Sequence, residues 1–247
     1  MALPPDGRRV KARTLCIGLS VLSALVLASC SPGLGRDSQT TARILFIGNS
    51  YTFLNSGIDH ELEGLAPSVF ATSLAKAGYS LEDHWNDDET MAMIQDGSWD
   101  YVVLQEQSQR PVLDPVAFLF FARALDGAIR DSGAQTILLM TWERPDSASG
   151  GVTSMGLAIA YDQVGEDLGV KVAPVGLAFA RSGMERPDLV LYSADGHPTI
   201  HGTYLAACVL YGLIFGETPL GNSYTGSSIT ANDATHLQEV ASETLGY

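Results

Sequence analysis

The chain has 247 residues, with 14 Lys and Arg against 28 Asp and Glu, which gives a net charge of −14 at pH 7. So acidic a protein repels phosphate backbones and anionic lipid surfaces, which argues against nucleic acid as a partner. Apolar residues make up 46% of the chain, and this is enough to build one sizeable core.

The first 29 residues are typical of an export signal. A basic stretch from Arg8 to Arg13 precedes an apolar stretch from Leu15 to Leu27, and Leu27-Ala28-Ser29-Cys30 follows as a small-residue cleavage site. This tetrapeptide resembles the lipobox of bacterial lipoproteins, which implies cleavage before Cys30 and acylation of its thiol. We therefore expect an exported, membrane-anchored lipoprotein of the outer membrane, periplasm or cell surface. The alternatives are an ordinary cleaved signal peptide or a single anchoring helix, although the apolar stretch is short for a span of about 20 residues.

Removal of residues 1–29 leaves 218 residues with 10 basic and 27 acidic side chains, a net charge of −17. Membrane contact is then expected through the lipid alone. Residues 30–41, the lipidated cysteine and a segment rich in Ser, Gly and Thr, predict a flexible tether, and residues 42–247 a single domain. Cys208 is the one cysteine left free, so no intrachain disulfide is expected. Its apolar surroundings in the sequence predict a buried, inert thiol.

Beyond the tether, short apolar runs alternate with helical patterns. The predicted strands are residues 43–47, 69–75, 101–104, 136–141 and 170–175. The predicted helices are residues 58–65, 89–95, 115–130, 154–168, 202–214 and 232–244, with Asn232 as the N-cap of the last. Short strands separated by helices indicate a parallel sheet that is covered on both faces. The sequence therefore predicts an α/β fold, a three-layer α/β/α sandwich with a five-stranded, flavodoxin-like parallel sheet, in which residues 145–151 form a mobile loop over the carboxyl edge.

A serine stands where such sheets place their ligands. The first strand runs directly into Gly48-Asn49-Ser50, which puts the hydroxyl on a tight turn at the carboxyl end of the strand. A serine in such a turn often caps a helix. Near the other end of the chain, however, Asp195 and His197 supply the carboxylate and the imidazole that convert a hydroxyl into a nucleophile. These three residues together predict a serine hydrolase.

Three ordered segments resemble the conserved blocks of the SGNH (GDSL-like) hydrolases. Residues 44–52, Ile-Leu-Phe-Ile-Gly-Asn-Ser-Tyr-Thr, resemble the first block, with Asn49 in place of the usual aspartate. Residues 99–108 lie where that superfamily carries its Gly-x-Asn-Asp block, and residues 195–207 resemble the last block. The resemblance spans nearly the whole mature chain.

This resemblance implies a role for each matching residue. Ser50 would be the nucleophile, His197 the general base and Asp195 the acid that orients the imidazole. The oxyanion would be bound by the amide of Ser50, by the side chain of Gln107 in place of the family's asparagine, with Gln105 as the alternative, and by the amide of Gly78.

The last block departs from the family, because Asp195 and His197 are separated by one residue and not by the usual two. The backbone must absorb the shorter spacing, or another acid must replace Asp195. Glu143 and Asp188 are the candidates, although Glu143 is also expected to form a surface ion pair with Arg144.

Two further polar segments lie near these residues. His201 follows His197 by four positions, and a hydrogen bond at the start of a helix is its expected role. His84, Trp85 and Asn86 are expected in a polar loop near the same edge, where they either contact the substrate or are structural.

The resemblance implies hydrolysis of acyl esters, lysophospholipids or O-acetylated carbohydrates through an acyl-Ser50 intermediate. No cofactor or metal is expected, because His60, His84 and His236 are scattered along the chain. One alternative is a non-catalytic, ligand-binding lipoprotein on the same scaffold. Another is a flavodoxin-like nucleotide binder that uses residues 48–52 as a phosphate loop, which the acidic charge disfavours. The oligomeric state is left open.

Overall fold

A computed structural model describes residues 42–226 and 228–247, so the predicted export signal, Cys30 and the tether lie outside the described residues. Five parallel strands form one sheet in the order β2-β1-β3-β4-β5. They are β1 (Ala42–Gly48), β2 (Val69–Ala75), β3 (Tyr101–Leu104), β4 (Gln135–Leu139) and β5 (Lys171–Ala173). The helices are α1 (Ser50–Phe53), α2 (Ile58–Leu65), α3 (Leu81–Trp85), α4 (Asp88–Asp96), α5 (Arg110–Leu113), α6 (Pro115–Asp131), α7 (Ser154–Leu168), α8 (Val175–Glu185), α9 (Ile200–Phe215) and α10 (Ala231–Leu245).

Side chains of β1 alternate between two apolar cores, one on each face of the sheet. Ile44 and Phe46 pack with α2, α8, α9 and α10, whereas Leu45 and Ile47 pack with α3, α4, α6 and α7. All four side chains are buried, as expected for a parallel strand between two layers of helices. The three-layer α/β/α fold predicted from the sequence is therefore confirmed.

The element boundaries differ from the sequence prediction in a few places. β5 ends at Ala173, two residues before the predicted end, because Pro174 takes the N-cap position of α8, a helix that was not predicted. The short helices α1, α3 and α5 also went unpredicted. The expected N-cap Asn232 is wrong, since Thr230 accepts the hydrogen bond from the Asp233 N–H and α10 begins at Ala231. Within the predicted loop 145–151, a 3₁₀ turn covers Ala148–Gly150.

Helix α9 is buried on almost every side. It is apolar all round, packs between α2 and α10, and contains Cys208, which is fully buried and free. Burial raises the pKa of the Cys208 thiol, which removes the thiolate that reacts with electrophiles. Even so, no helix in residues 42–226 and 228–247 is long and apolar enough to cross a membrane.

We expect iodoacetamide to leave Cys208 unmodified in the native protein and to alkylate it only as the chain unfolds, because the thiol is inaccessible and protonated. Mass spectrometry of the peptide that contains Cys208 measures this, with the protein in concentrated urea as the control. Alkylation at equal rates in both conditions would contradict the burial of this side chain.

Candidate active site

The turn after β1 places Ser50 at the first position of α1. Asn49 is the N-cap, and its Oδ1 accepts a hydrogen bond from the Tyr51 N–H at 3.1 Å. Its Nδ2 donates to the carbonyl oxygen of Tyr79 at 2.8 Å. Because amides in the first turn have no intrahelical acceptor, the Ser50 N–H is left to bind an external group.

Gln105, directly after β3, fixes this turn from the neighbouring strand. Its buried Oε1 accepts from the Asn49 N–H at 2.9 Å and from the Thr52 hydroxyl at 3.0 Å. A Cβ on Gly48 would lie 2.6 Å from that Oε1 and 2.5 Å from Thr52 Oγ1. Glycine is therefore required at position 48 by the close approach of Gln105 and Thr52.

The structure brings the three predicted catalytic side chains together. Ser50 Oγ lies 2.9 Å from His197 Nε2, and His197 Nδ1 lies 2.9 Å from Asp195 Oδ2. Hydrogen bonds from the Ser193 hydroxyl and from His197 lower the pKa of Asp195 below its usual range. An ionised Asp195 holds the proton on His197 Nδ1 and leaves Nε2 free to accept one from Ser50.

The one-residue spacing between acid and base is absorbed at Gly196. Its φ is +87°, in the left-handed region that favours glycine. This turn lets Asp195 accept both the main-chain N–H of His197, at 3.2 Å, and the imidazole Nδ1–H. The shortened block therefore still places the Asp195 carboxylate against the His197 imidazole.

The two alternative acids are used elsewhere. The Glu143 carboxylate accepts from the Ser154 N–H at 2.7 Å and from the Ser154 hydroxyl at 3.0 Å, at the start of α7. Among the described residues its partner is thus Ser154, and not Arg144 as expected. Asp188 pairs with Arg186 at 2.9 Å.

His201 faces α10 from the first turn of α9. Its Nε2 lies 3.9 Å from Asp233 Oδ2. The helix itself is capped by Thr199, whose hydroxyl accepts from the Gly202 N–H at 3.4 Å, so Thr199 takes the role at the helix start that was expected of His201.

The expectation that residues 84–86 form a polar loop is wrong. His84 and Trp85 belong to α3, and Asn86 is its C-cap. His84 is fully buried, with Nε2 2.8 Å from the Gly48 carbonyl oxygen and Nδ1 2.9 Å from the Thr90 hydroxyl. Burial lowers the pKa of His84, so the neutral ring donates from Nε2 and fixes the end of β1.

Of the two candidate glutamines, Gln107 has the amide group that remains available. The Gln105 side chain is consumed inside the fold, because its Nε2 donates to the Glu106 carbonyl oxygen. Gln107 Oε1 accepts from the Gln109 and Arg110 N–H groups, whereas Gln107 Nε2 donates one long hydrogen bond, 3.4 Å, to Ser108 Oγ among the residues that the structure describes.

Gly78 lies in an exposed turn beside the nucleophile. The turn is closed by a hydrogen bond from the Tyr79 N–H to the Lys76 carbonyl oxygen at 3.1 Å, and Gly78 has a φ of +76°. The adjoining Tyr79 carbonyl is the group that binds the Asn49 amide. This contact places the turn next to the segment that carries Ser50.

A column of stacked aromatic rings, which was not predicted from the sequence, supports the loop that carries Asp195 and His197. Trp142 stacks on Tyr51 at 4.5 Å and on Phe179 at 4.2 Å between ring centroids. Its indole N–H donates to the Gly196 carbonyl oxygen at 3.0 Å, and the Tyr51 ring meets His197 edge-on at 5.6 Å. The position of Trp142, shortly after a predicted strand at the carboxyl edge, was the available signal.

A scan against protein-family models and a search of curated proteins found no match. Among solved structures, a protein from Slackia heliotrinireducens described as a candidate SGNH hydrolase is 30% identical, with a TM-score of 0.62 over 70% of this chain and 98% of its own. A DUF4886 family protein from Bacteroides uniformis has a TM-score of 0.65 at 16% identity, over 83% of this chain and 95% of its own.

A candidate GDSL-like lipase from Parabacteroides merdae has a TM-score of 0.56 at 17% identity, over 72% of this chain and 97% of its own. The two more distant structures share the fold. The Slackia heliotrinireducens protein, matched over nearly its whole length, shows the family. With its five-stranded parallel sheet and this level of identity, the chain belongs to the SGNH hydrolases.

Proposed function

We propose that this protein is a serine esterase that hydrolyses ester bonds through an acyl-Ser50 intermediate. The observation that carries the proposal is the continuous path from Ser50 Oγ to His197 to Asp195, with both hydrogen bonds at 2.9 Å. A hydroxyl, an imidazole and an ionised carboxylate in this order are the parts of an activated serine nucleophile.

In this mechanism His197 Nε2 accepts the hydroxyl proton while Ser50 Oγ attacks the ester carbonyl. The tetrahedral intermediate collapses when His197 returns the proton to the departing alcohol and the bond between the carbonyl carbon and that oxygen breaks. A water molecule, deprotonated by the same imidazole, then attacks the acyl carbon, and His197 returns the proton to Ser50 Oγ as the bond between that oxygen and the acyl carbon breaks and the acid leaves. Asp195 remains ionised throughout and stabilises the imidazolium that forms in each half-reaction.

The oxyanion would be bound by donors on three segments. The Ser50 N–H comes from the first turn of α1, the Gln107 amide from the loop after β3, and the Gly78 amide from the turn after β2. The Nε2 of Gln107, which donates one long hydrogen bond to Ser108 Oγ, is better placed to bind an oxyanion than the Nε2 of Gln105, which donates to the Glu106 carbonyl oxygen. Each donor of this kind contributes about 100- to 1000-fold to turnover in serine hydrolases.

For substrates, we propose acyl or acetyl esters, including esters carried on carbohydrates. The fold shared with a GDSL-like lipase supports acyl esters. The side chains of His197 and Asp195 are 38% and 67% exposed, and such an open site supports an alcohol as bulky as a glycan. The N-terminal sequence supports export and lipid anchoring at Cys30.

We expect a fluorophosphonate probe to label the native protein and to leave Ser50→Ala unlabelled, because the probe reacts only with an activated serine. In-gel fluorescence measures the labelling, and hydrolysis of p-nitrophenyl acetate should fall by about 10⁴-fold or more in the variant. A folded native protein that takes up no probe would contradict the esterase and favour a non-catalytic, ligand-binding lipoprotein.

Asp195→Ala and Glu143→Ala separate the two acids. Loss of Asp195 removes the partner of His197 Nδ1, so we expect kcat to fall by about 10²- to 10⁴-fold. Loss of Glu143 removes the hydrogen bonds at the start of α7, which should cost roughly 0.5–2 kcal/mol of unfolding free energy with little change in kcat. Steady-state kinetics and urea unfolding measure both. The reverse pattern would assign the acid to Glu143.

Gly196→Ala tests the turn that joins acid and base. An alanine at this φ costs about 1–2 kcal/mol, and its Cβ would lie 2.7 Å from Arg144 Cγ and from the Tyr51 hydroxyl oxygen. We expect kcat to fall about 10- to 100-fold as the imidazole is displaced.

Gly133→Ala is the matched control, because Gly133 has a φ of +88° with no atom within 4 Å of an added Cβ. It should show the conformational cost in urea unfolding while kcat is retained. Equal kinetic losses in the two variants would show that the turn at Gly196 has no specific effect on the acid–base pair.

A further inference from the structure

Glu106 is a fully buried carboxyl group between Gln105 and Gln107. Its Oε1 accepts hydrogen bonds from the Gln107 N–H at 2.6 Å and from the Leu81 N–H at 3.1 Å. Leu81 begins α3, two residues after the Tyr79 carbonyl that binds the Asn49 side chain. One carboxyl oxygen therefore joins the two loops that flank the nucleophile.

The surroundings of Glu106 are unfavourable for a charge. Burial raises the pKa of the Glu106 carboxyl to about 7, against the lowering effects of its two backbone hydrogen bonds and of Arg110 on α5, whereas Asp83 on α3 raises it further. Within the described ranges Oε2 has no hydrogen-bond partner, and neither has the buried hydroxyl of Tyr161 on α7. Since an apolar side chain would fill this space without that cost, the specific contribution of the carboxyl is its pair of directed hydrogen bonds.

One of the two hydrogen bonds to Glu106 comes from the main chain of Gln107, whose side-chain amide is the proposed oxyanion donor. Gln107 Oε1 is held by the Gln109 and Arg110 N–H groups at 3.0 and 3.1 Å. With the oxygen fixed at the start of α5 and the main-chain N–H fixed by Glu106, Gln107 is constrained at both ends. Its Nε2 donates a long hydrogen bond of 3.4 Å to Ser108 Oγ, and its second N–H can be offered to a substrate.

We propose that Glu106 is a positioning residue that sets the oxyanion-binding amide of Gln107 by tying its main chain to the start of α3. This inference rests on the proposed esterase function. What the proposal requires is an acceptor oxygen at the reach of a glutamate side chain, and the carboxylate's negative charge is not required. The length of the side chain at position 106 is therefore expected to matter, and its charge is not.

Glu106→Gln and Glu106→Asp make that separation. Glutamine keeps the acceptor oxygen at the same reach and removes the charge, whereas aspartate keeps the charge and withdraws it by about 1.5 Å, one carbon–carbon bond. With p-nitrophenyl acetate at pH 8, we expect Glu106→Gln to keep kcat within about 3-fold. Glu106→Asp should lower kcat by about 10- to 100-fold with KM within about 3-fold, because the oxyanion donor acts in the transition state.

Glu61 provides the matched control. It is also a buried glutamate, on α2, whose pKa is raised by burial, and it faces Tyr224. Glu61→Asp should lower thermal stability without changing kcat by more than about 3-fold. A double-mutant cycle adds a second readout: in a Gln107→Ala background, Glu106→Asp should cost less than about 3-fold, since its effect passes through Gln107.

The proposal is overturned if Glu106→Asp keeps full kcat, if its loss lies in KM, or if Glu106→Gln is slow. The last result stands alone should the aspartate variant fail to fold, because glutamine preserves the size of the side chain. Failure of the esterase function itself would be recognised separately, as native protein without turnover or fluorophosphonate labelling.

Discussion

The turn at the carboxyl end of β1 is held by hydrogen bonds to its main chain, and the position of Ser50 depends on them. Gln105 Oε1, at the end of β3, accepts a hydrogen bond from the Asn49 N–H. The buried imidazole of His84, on α3, donates one to the Gly48 carbonyl oxygen. These partners lie in the core, where salt does not screen them. The nucleophile is thus fixed by the packing of strands and helices, and the abundant surface charge of this acidic protein has little part in placing it.

His197 reaches this turn from 147 residues further along the chain. The loop that carries His197 is held in place by Trp142, whose indole N–H donates to the Gly196 carbonyl oxygen. The Trp142 ring also stacks on Tyr51, the residue after Ser50. One buried side chain therefore contacts both halves of the site. A well-packed aromatic column has few alternative arrangements, and the distance from Ser50 to His197 inherits that rigidity.

How far the sequence predicts this site depends on the range of each interaction. The five strands follow from local apolar runs, and the structure has them at or close to the predicted ranges. Ser50, Asp195 and His197 follow from motif order, and the structure brings their side chains into contact. The buried position of His84 depends on its contact with the Gly48 carbonyl, 36 residues earlier in the chain, which a local polar pattern does not reveal. The one-residue spacing before His197 departs from the family pattern, and the sequence does not show how it is accommodated. The left-handed conformation of Gly196 lets a single intervening residue join Asp195 to His197.

The same glycine has a mechanical consequence. Asp195 and His197 sit in one short turn, linked by a side-chain and a main-chain hydrogen bond, so they move as a unit when the loop fluctuates. A catalytic triad assembled from three separate segments has two distances that thermal motion can spoil. Here the distance that loop motion can change is the one between Ser50 Oγ and His197 Nε2. The geometry of the site therefore depends on how firmly the loop that carries Asp195 and His197 packs against the end of β1.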